Sequence, residues 1–347
     1  MIELNKDYFP ENCDLIKEYL HKRDSKQKQK KTKKKKQNKK KKKKKNKEEA
    51  VFDYGAQEFE WHRNTQNKLL DDLLESWIKD GTIAKTTTTA QENDIWTSGA
   101  KKEGIRGISK KIEKLLLEKG AKIITGKQVY STERESQEWI VKCKTNPVVA
   151  QKALVQEKEE EEEEIQIKST HLVMALPLPQ AIQISPHHVK QVLPQEIHQV
   201  AYSKCLVLMT VTEKDIDKQG QSGQENINQI VSFVSDNHLK GVSPIPFSFT
   251  IHSTHDFALK YWDEPDTIRI PLISKSLGMS NEKLSVCHRW GFSTPLKTFP
   301  APYLLLEDEK LAYVGDSFSE SSNLKKSQLI WTAAFSGLRG AESISKL

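Results

Sequence analysis

The stretch LAYVGDSF, residues 311–318, places a short apolar run immediately before Gly315 and Asp316. An apolar run followed by a glycine predicts a strand, here over residues 310–314, and a turn where the chain leaves it. Apolar residues then recur at helical spacing over residues 328–344, which predicts a helix. From the residues alone, Asp316 either caps an ordinary turn or offers its carboxylate to a ligand.

A second apolar run, LVMALPLPQAIQI at residues 172–184, continues through Leu176 and then meets Pro177 and Pro179. A continuous apolar run that ends in prolines is typical of a buried strand that leaves its sheet through a turn. This segment therefore predicts a second buried strand.

Two helices are predicted upstream, over residues 64–80 and 104–120, because their apolar residues recur at helical spacing and Gly81 and Gly120 end them. Strands are predicted around Val51 and over residues 121–124, 128–132, 138–142, 204–211, 229–234 and 247–252. A glutamate-rich insertion separates two strands of one expected hairpin. This mixture of helices and strands predicts an α/β domain joined to a mainly antiparallel one.

The net charge of +8 of the 347-residue chain comes from one segment. A lysine tract, which begins at Lys22 and ends at Lys47, holds 18 basic residues and one acid. Outside this tract and the acidic run at residues 157–164, 36 basic and 39 acidic residues remain, which excludes a basic nucleic-acid-binding fold. Residues 1–50 are predicted to be disordered. The tract either contacts polyanions non-specifically, directs nuclear import, or is a solvated insertion without a selected role.

The composition indicates an intracellular protein, in the cytoplasm or alternatively the nucleus. No apolar run has the length that a membrane helix needs, and the start of the sequence lacks the apolar segment of a signal peptide. Cys13, Cys143, Cys205 and Cys287 are scattered without metal-ligand spacing, which argues against a zinc site and against a disulfide framework.

Several segments, taken in order, resemble the renalase-like FAD-dependent amine-oxidase superfamily over nearly all of residues 51–343. They are FDYGAQEF at 52–59, residues 103–141, LVMALPLPQAIQI at 172–184, AYSKCLVLM at 201–209, CHRW at 287–290 and LAYVGDSF at 311–318. The resemblance implies a discontinuous Rossmann-like FAD-binding domain and an antiparallel-sheet substrate domain. The substrate domain would comprise residues 51–100 and 185–284, and the FAD-binding domain residues 101–184 and 285–347, with the acidic loop at 157–164.

The resemblance also implies which residues contact FAD: Gln57, Glu58, Val129, Gly315 and Asp316. Asp316 would accept hydrogen bonds from sugar hydroxyls, and the backbone of Val129 would read the adenine. Gln57 and Glu58 follow Gly55 at a corner beside the flavin, although relatives commonly have an aromatic residue in place of Glu58.

Arg289 and Trp290 match the segment of the family near the active face. Trp290 would form one wall of the substrate pocket, and the planar guanidinium of Arg289 would form an ion pair with an anionic group. No residue pattern indicates a catalytic acid, base or nucleophile, which fits chemistry carried by a cofactor. The implied reaction passes a hydride from a reduced nicotinamide-type or amine substrate to FAD and then to oxygen.

The family opens with a strand, a GxGxxG turn and a helix that hold the pyrophosphate, whereas no glycine precedes Gly55 here. The sequence is therefore expected to be either an incomplete flavin oxidoreductase or a degenerate, cofactor-free binding or scaffold protein. A binder of anionic surfaces or nucleic acid, acting through the lysine tract, is a further alternative. Because the missing strand would be central, the chain alone is expected to be poorly stable.

Overall fold

The computed structural model describes residues 49–61, 68–85, 95–98, 103–145, 164–216, 227–279, 282–321 and 324–347. The lysine tract lies outside these residues, as does all of the acidic run except Glu164. The disorder predicted for residues 1–50 likewise concerns residues that, apart from the last two, are not described.

The described elements are mixed in type. Strands β1–β15 are Phe59–Glu60, Ile83–Lys85, Ile95–Ser98, Lys127–Glu135, Glu138–Thr145, Ile165–Ser169, Leu172–Met174, Ala201–Tyr202, Cys205–Val211, Val231–Asp236, Ser248–Ser253, Leu284–Trp290, Pro295–Lys297, Leu304–Leu306 and Leu311–Tyr313. Helices α1–α7 are Lys68–Lys79, Arg106–Glu118, Leu178–Ile184, His187–Val192, His255–Lys260, Asp266–Ser276 and Leu329–Ile344, and short 3₁₀ helices lie at Gln195–Gln199 and Lys326–Gln328. Parallel and antiparallel strand pairs both occur, which confirms the predicted mixed α/β fold class.

The elements form two compact units. Unit 1 contains Gly55–Cys205 and Trp290–Leu347, and unit 2 contains Leu206–Arg289 together with the described residues up to Tyr54. The assignment of residues 51–100 and 185–284 to a substrate domain and of the rest to FAD binding stays a prediction.

The sheets of unit 1 confirm the two strands that frame the predicted site. β15 is antiparallel to β14 and parallel to β7, with Tyr313 opposite Met174. β5 pairs with β6, with Trp139 opposite Ser169, so the hairpin predicted around the acidic run is confirmed. Trp139 and Tyr313 belong to one buried cluster, which joins these two sheets.

Helix α7 packs very closely against the end of β15. A Cβ atom at Gly340 would overlap Val314 Cγ1, so only glycine fits this helix position without displacement. The close approach brings the middle of α7 to the turn that follows β15.

Unit 2 is built on a four-stranded sheet in the order β10, β11, β9, β12. Every residue of β9 and β11 is buried, as expected for strands at the centre of a sheet. Phe257 of α5 and Ile273 of α6 pack with Leu206 and Ile251 in the core of this unit.

Two predicted strands are wrong. After α2, which confirms the helix predicted at 104–120, Ala121 N donates to Leu116 O, so the chain completes the helix end instead of forming a strand at 121–124. The strand expected around Val51 is also absent from the described residues. There, Asp53 N donates to Asn237 Oδ1 at 3.0 Å and Asp53 O accepts from Thr250 Oγ1 at 2.8 Å, so side chains satisfy this backbone instead of a neighbouring strand.

Candidate functional site

The candidate site begins where β15 ends. Because β7 and β15 are parallel, their carboxyl ends lie at the same edge of the sheet, the edge at which α/β sheets bind ligands. Gly315 has a φ of +149°, which favours glycine, and its N–H donates to Ser336 Oγ of α7 at 2.9 Å. The turn and α7 therefore hold Asp316 at the carboxyl edge of the parallel pair.

The carboxylate of Asp316 is partly buried and hydrogen bonded. Tyr202 Oη donates to Asp316 Oδ1 at 2.7 Å, and the Ser317 N–H also donates to the carboxylate. Burial raises the pKa of Asp316 above its usual value, and these hydrogen bonds offset part of the increase. As a whole residue, Asp316 is half-buried.

In the hydrogen bond between Tyr202 and Asp316, the tyrosine is the donor. Its ring packs edge-on against Phe292, with ring centroids 5.5 Å apart, and β8 holds its backbone opposite Pro295 of β13. Burial and the negative charge of Asp316 both raise the pKa of Tyr202, so its hydroxyl keeps its proton at neutral pH.

Replacing Asp316 by asparagine is expected to remove a pH-dependent loss of stability. The folded-state pKa of Asp316 is raised, so the folded state holds the proton more tightly and the free energy of unfolding falls as pH rises between the unfolded and folded pKa values. The FAD-free Asp316→Asn protein should gain about 1 kcal/mol at neutral pH, as often happens when a functional charge is removed. Thermal unfolding from about pH 3 to about pH 8 covers this window. Parallel profiles for the two proteins would contradict the prediction.

The predicted flavin corner brings Gly55 and Trp290 together. A Cβ atom at Gly55 would lie 3.7 Å from Trp290 Cζ2, an ordinary van der Waals distance, so the indole lies directly beside this residue. Gln57 is buried, and its side-chain Nε2 donates to Gly55 O at 3.0 Å. The backbone carbonyl oxygen of Gln57 accepts from Thr97 Oγ1 at 3.3 Å. Glu58, next along the chain, is partly exposed. The roles of Gln57 and Glu58 in binding stay predictions.

Arg289 and His288 belong to unit 2. The exposed guanidinium of Arg289 lies 5.7 Å from the ring centroid of Trp262 and donates to Trp262 O at 3.3 Å. His288 is buried and packs edge-on against Tyr54, with a centroid distance of 5.2 Å. Burial and the charge of Arg289 lower the pKa of His288 to about 4, so this imidazole is neutral at neutral pH.

Val129, the predicted adenine contact, is partly exposed in β4 opposite Cys143. The β4–β5 register shifts between Val129 and Ser131. A bulge of this kind disrupts the ladder locally and frees backbone groups for other partners.

The described residues fit one part of FAD. A carboxylate at this edge suits the hydroxyl donors of a sugar chain, and the described groups that shift the pKa of Asp316 are a hydroxyl and two backbone N–H groups. Such a carboxylate repels phosphate, so it would meet the ribityl hydroxyls. The sequence contains no GxGxxG loop for the pyrophosphate. No metal-binding group of three His, Cys, Asp or Glu residues occurs among the described residues, and none of the helices there could span a membrane.

Sequence reasoning missed Tyr202 and Ser336. Both side chains form a hydrogen bond to the turn at residues 315–316. Tyr202 lies 114 positions away from its partner Asp316 in the sequence. No local pattern reports a contact at that separation. A polar residue that interrupts an apolar helix face, as Ser336 does within WTAAFSG, was the available signal.

No protein-family model and no curated protein matches the chain. Among solved structures it is similar to cyclohexylamine oxidase from Brevibacterium oxydans IH-35A, with 14% identity, a TM-score of 0.45 and coverage of 70% of this chain and 52% of that one. It is similar to an oxidoreductase from Methanosarcina mazei, with 12% identity, a TM-score of 0.45 and coverage of 74% and 56%. It is also similar to CabE, an aromatic hydroxylase from angucycline biosynthesis, with 10% identity, a TM-score of 0.46 and coverage of 83% and 56%. The chain thus spans about half the length of these proteins, and similarity at this level defines neither a site nor an activity.

Proposed function

We propose that this chain is an FAD-dependent oxidoreductase that transfers a hydride from a reduced nicotinamide-type or amine substrate to FAD and then to oxygen. The observation that carries the proposal is the carboxylate of the half-buried residue Asp316 at the carboxyl edge of β7 and β15, with one oxygen hydrogen bonded to Tyr202. The sequence resemblance to renalase-like flavoproteins supports the proposal, because it implies a sugar of the cofactor next to this residue.

In this proposal, Asp316 accepts hydrogen bonds from ribityl hydroxyls, and Gly315, with its φ of +149°, forms the turn that carries Asp316. The backbone of Val129, at the irregularity in β4, supplies the contacts to adenine. When bound, FAD supplies the hydride acceptor and the reaction with oxygen. The protein binds and orients the cofactor and excludes water from it.

Trp290 is proposed as an apolar wall of the substrate pocket, because it already packs at the corner of Gly55. Gln57 turns its amide nitrogen onto the carbonyl of Gly55, so its proposed contribution to binding is the fixed shape of that corner. Arg289 is proposed to pair with an anionic group of the substrate, since its guanidinium is exposed.

The direct test is a visible spectrum of the purified chain after incubation with excess FAD and desalting. We expect a retained flavin band that NADH or benzylamine bleaches without oxygen and that returns in air. A folded but colourless protein would overturn FAD binding and favour the cofactor-free binding role. A coloured protein that neither compound bleaches would overturn the proposed substrate classes.

Deleting residues 1–50 tests the remaining alternative, a polyanion binder that acts through the lysine tract. Affinity for heparin or DNA should fall steeply with salt and vanish in the truncated chain. If the truncated chain binds as tightly, the tract is not the binding element.

A further inference from the structure

The hydrogen-bond partners of the Tyr202 hydroxyl determine which of them receives its proton. Its oxygen accepts from the backbone N–H of Leu178, the first residue of α3, and it is also bonded to the Ser317 hydroxyl. A backbone N–H can only donate and an ionised carboxylate can only accept, so the tyrosine hydroxyl donates its proton to Asp316 Oδ1 at 2.7 Å.

The surroundings of Asp316 make this donor important. Among the described residues, the groups that act on the carboxyl are the Tyr202 hydroxyl and the backbone N–H groups of Asp316 and Ser317, with no Lys, Arg or His. A carboxylate without a counter-ion depends on its hydrogen bonds, since each bond to a charged group is stronger than one to a neutral group.

We propose that Tyr202 is a positioning residue that occupies one oxygen of Asp316 and thereby presents the other oxygen to a hydroxyl group of the bound ligand. This inference rests on the proposed FAD function. The tyrosine fixes the carboxylate rotamer and favours its charged form, which is the form that accepts a hydrogen bond from a sugar hydroxyl. The same bond therefore sets the pH range over which the site binds.

Tyr202→Phe tests the inference because it keeps the ring packed on Phe292 and removes only the hydroxyl. Tyr313→Phe is the matched control. Tyr313 is fully buried in the same unit, and its hydroxyl lies 2.6 Å from Ser185 Oγ. The measurements are FAD titrations over a range of pH, followed by flavin fluorescence, and the pKa of Asp316 in the FAD-free proteins by carbon-13 NMR.

We expect Tyr202→Phe to bind FAD about tenfold more weakly at neutral pH. Its loss of binding on acidification should begin at higher pH, together with a higher pKa of Asp316, because a bond that lowers this pKa is gone. Tyr313→Phe should change neither the FAD affinity profile nor the pKa of Asp316. Equal profiles for Tyr202→Phe and the wild type would overturn the inference and leave the proposed function standing. A wild-type protein that binds no FAD at any pH would overturn both.

Discussion

Gly340→Ala is expected to destabilise the protein by about 2–3 kcal/mol, the upper range for overpacking in a well-packed core. The added methyl group would overlap Val314 Cγ1, directly before the turn that carries Asp316. Either α7 moves away from β15 or Val314 is displaced, and both changes disturb the Ser336 contact to Gly315. Urea unfolding followed by circular dichroism measures the loss.

Gly337→Ala is the matched control in the same helix. A Cβ atom there would meet nothing within 4 Å, so the substitution should stabilise α7 by about 0.5–1 kcal/mol. The double variant Gly340→Ala with Val314→Ala removes the overlapping methyl group and should recover part of the stability. Equal stabilities for Gly340→Ala and Gly337→Ala would show that α7 does not pack on β15 as described.

Asp53→Ala is expected to cost about 3–5 kcal/mol, because it removes one charge of a buried ion pair, the carboxylate beside the Lys240 ammonium group. Lys240 Nζ lies 3.2 Å from Asp53 Oδ2, and the two side chains are only 11% and 6% exposed. The backbone of Asp53 is bonded to Asn237 and Thr250, so the same residue also anchors this segment within unit 2.

The exposed pair Lys283–Glu213 is the control for this second prediction. Its atoms lie 3.8 Å apart and its side chains are 51% and 56% exposed, so Glu213→Ala should change stability by less than about 1 kcal/mol. The double variant Asp53→Asn with Lys240→Met removes both charges and should be more stable than Asp53→Ala. A small effect of Asp53→Ala, similar to that of Glu213→Ala, would contradict a buried pair.

The sequence allowed prediction of the elements whose signals are local. The spacing of apolar residues predicted α1, α2 and α7, and Gly120, with a φ of +83°, ends α2 as expected. The run before Gly315 predicted β15 and the turn to Asp316. These features depend on residues close together in the chain, so periodicity and turn residues report them.

The wrong strand and the missed site residues share a physical cause. In both cases the hydrogen-bonding groups find partners that are far away in the sequence. Asp53 bonds to residues 184 and 197 positions away, which no local pattern reports, and a strand was predicted there instead. The partner of Asp316, Tyr202, lies in a two-residue strand without any periodic signal. Contacts of this kind follow only from the folded arrangement.

Equilibrium titration with FAD of the wild-type chain and Asp316→Asn tests the central claim most directly. Asp308→Asn, the same chemical change at an exposed position in the β14–β15 connection, is the control. We predict binding by the wild type and Asp308→Asn, and about a hundredfold weaker binding by Asp316→Asn, because hydrogen bonds to a charged acceptor are lost. Equal affinity of all three proteins, or no binding by a folded wild type, would contradict the assignment of Asp316 as the cofactor-binding carboxylate.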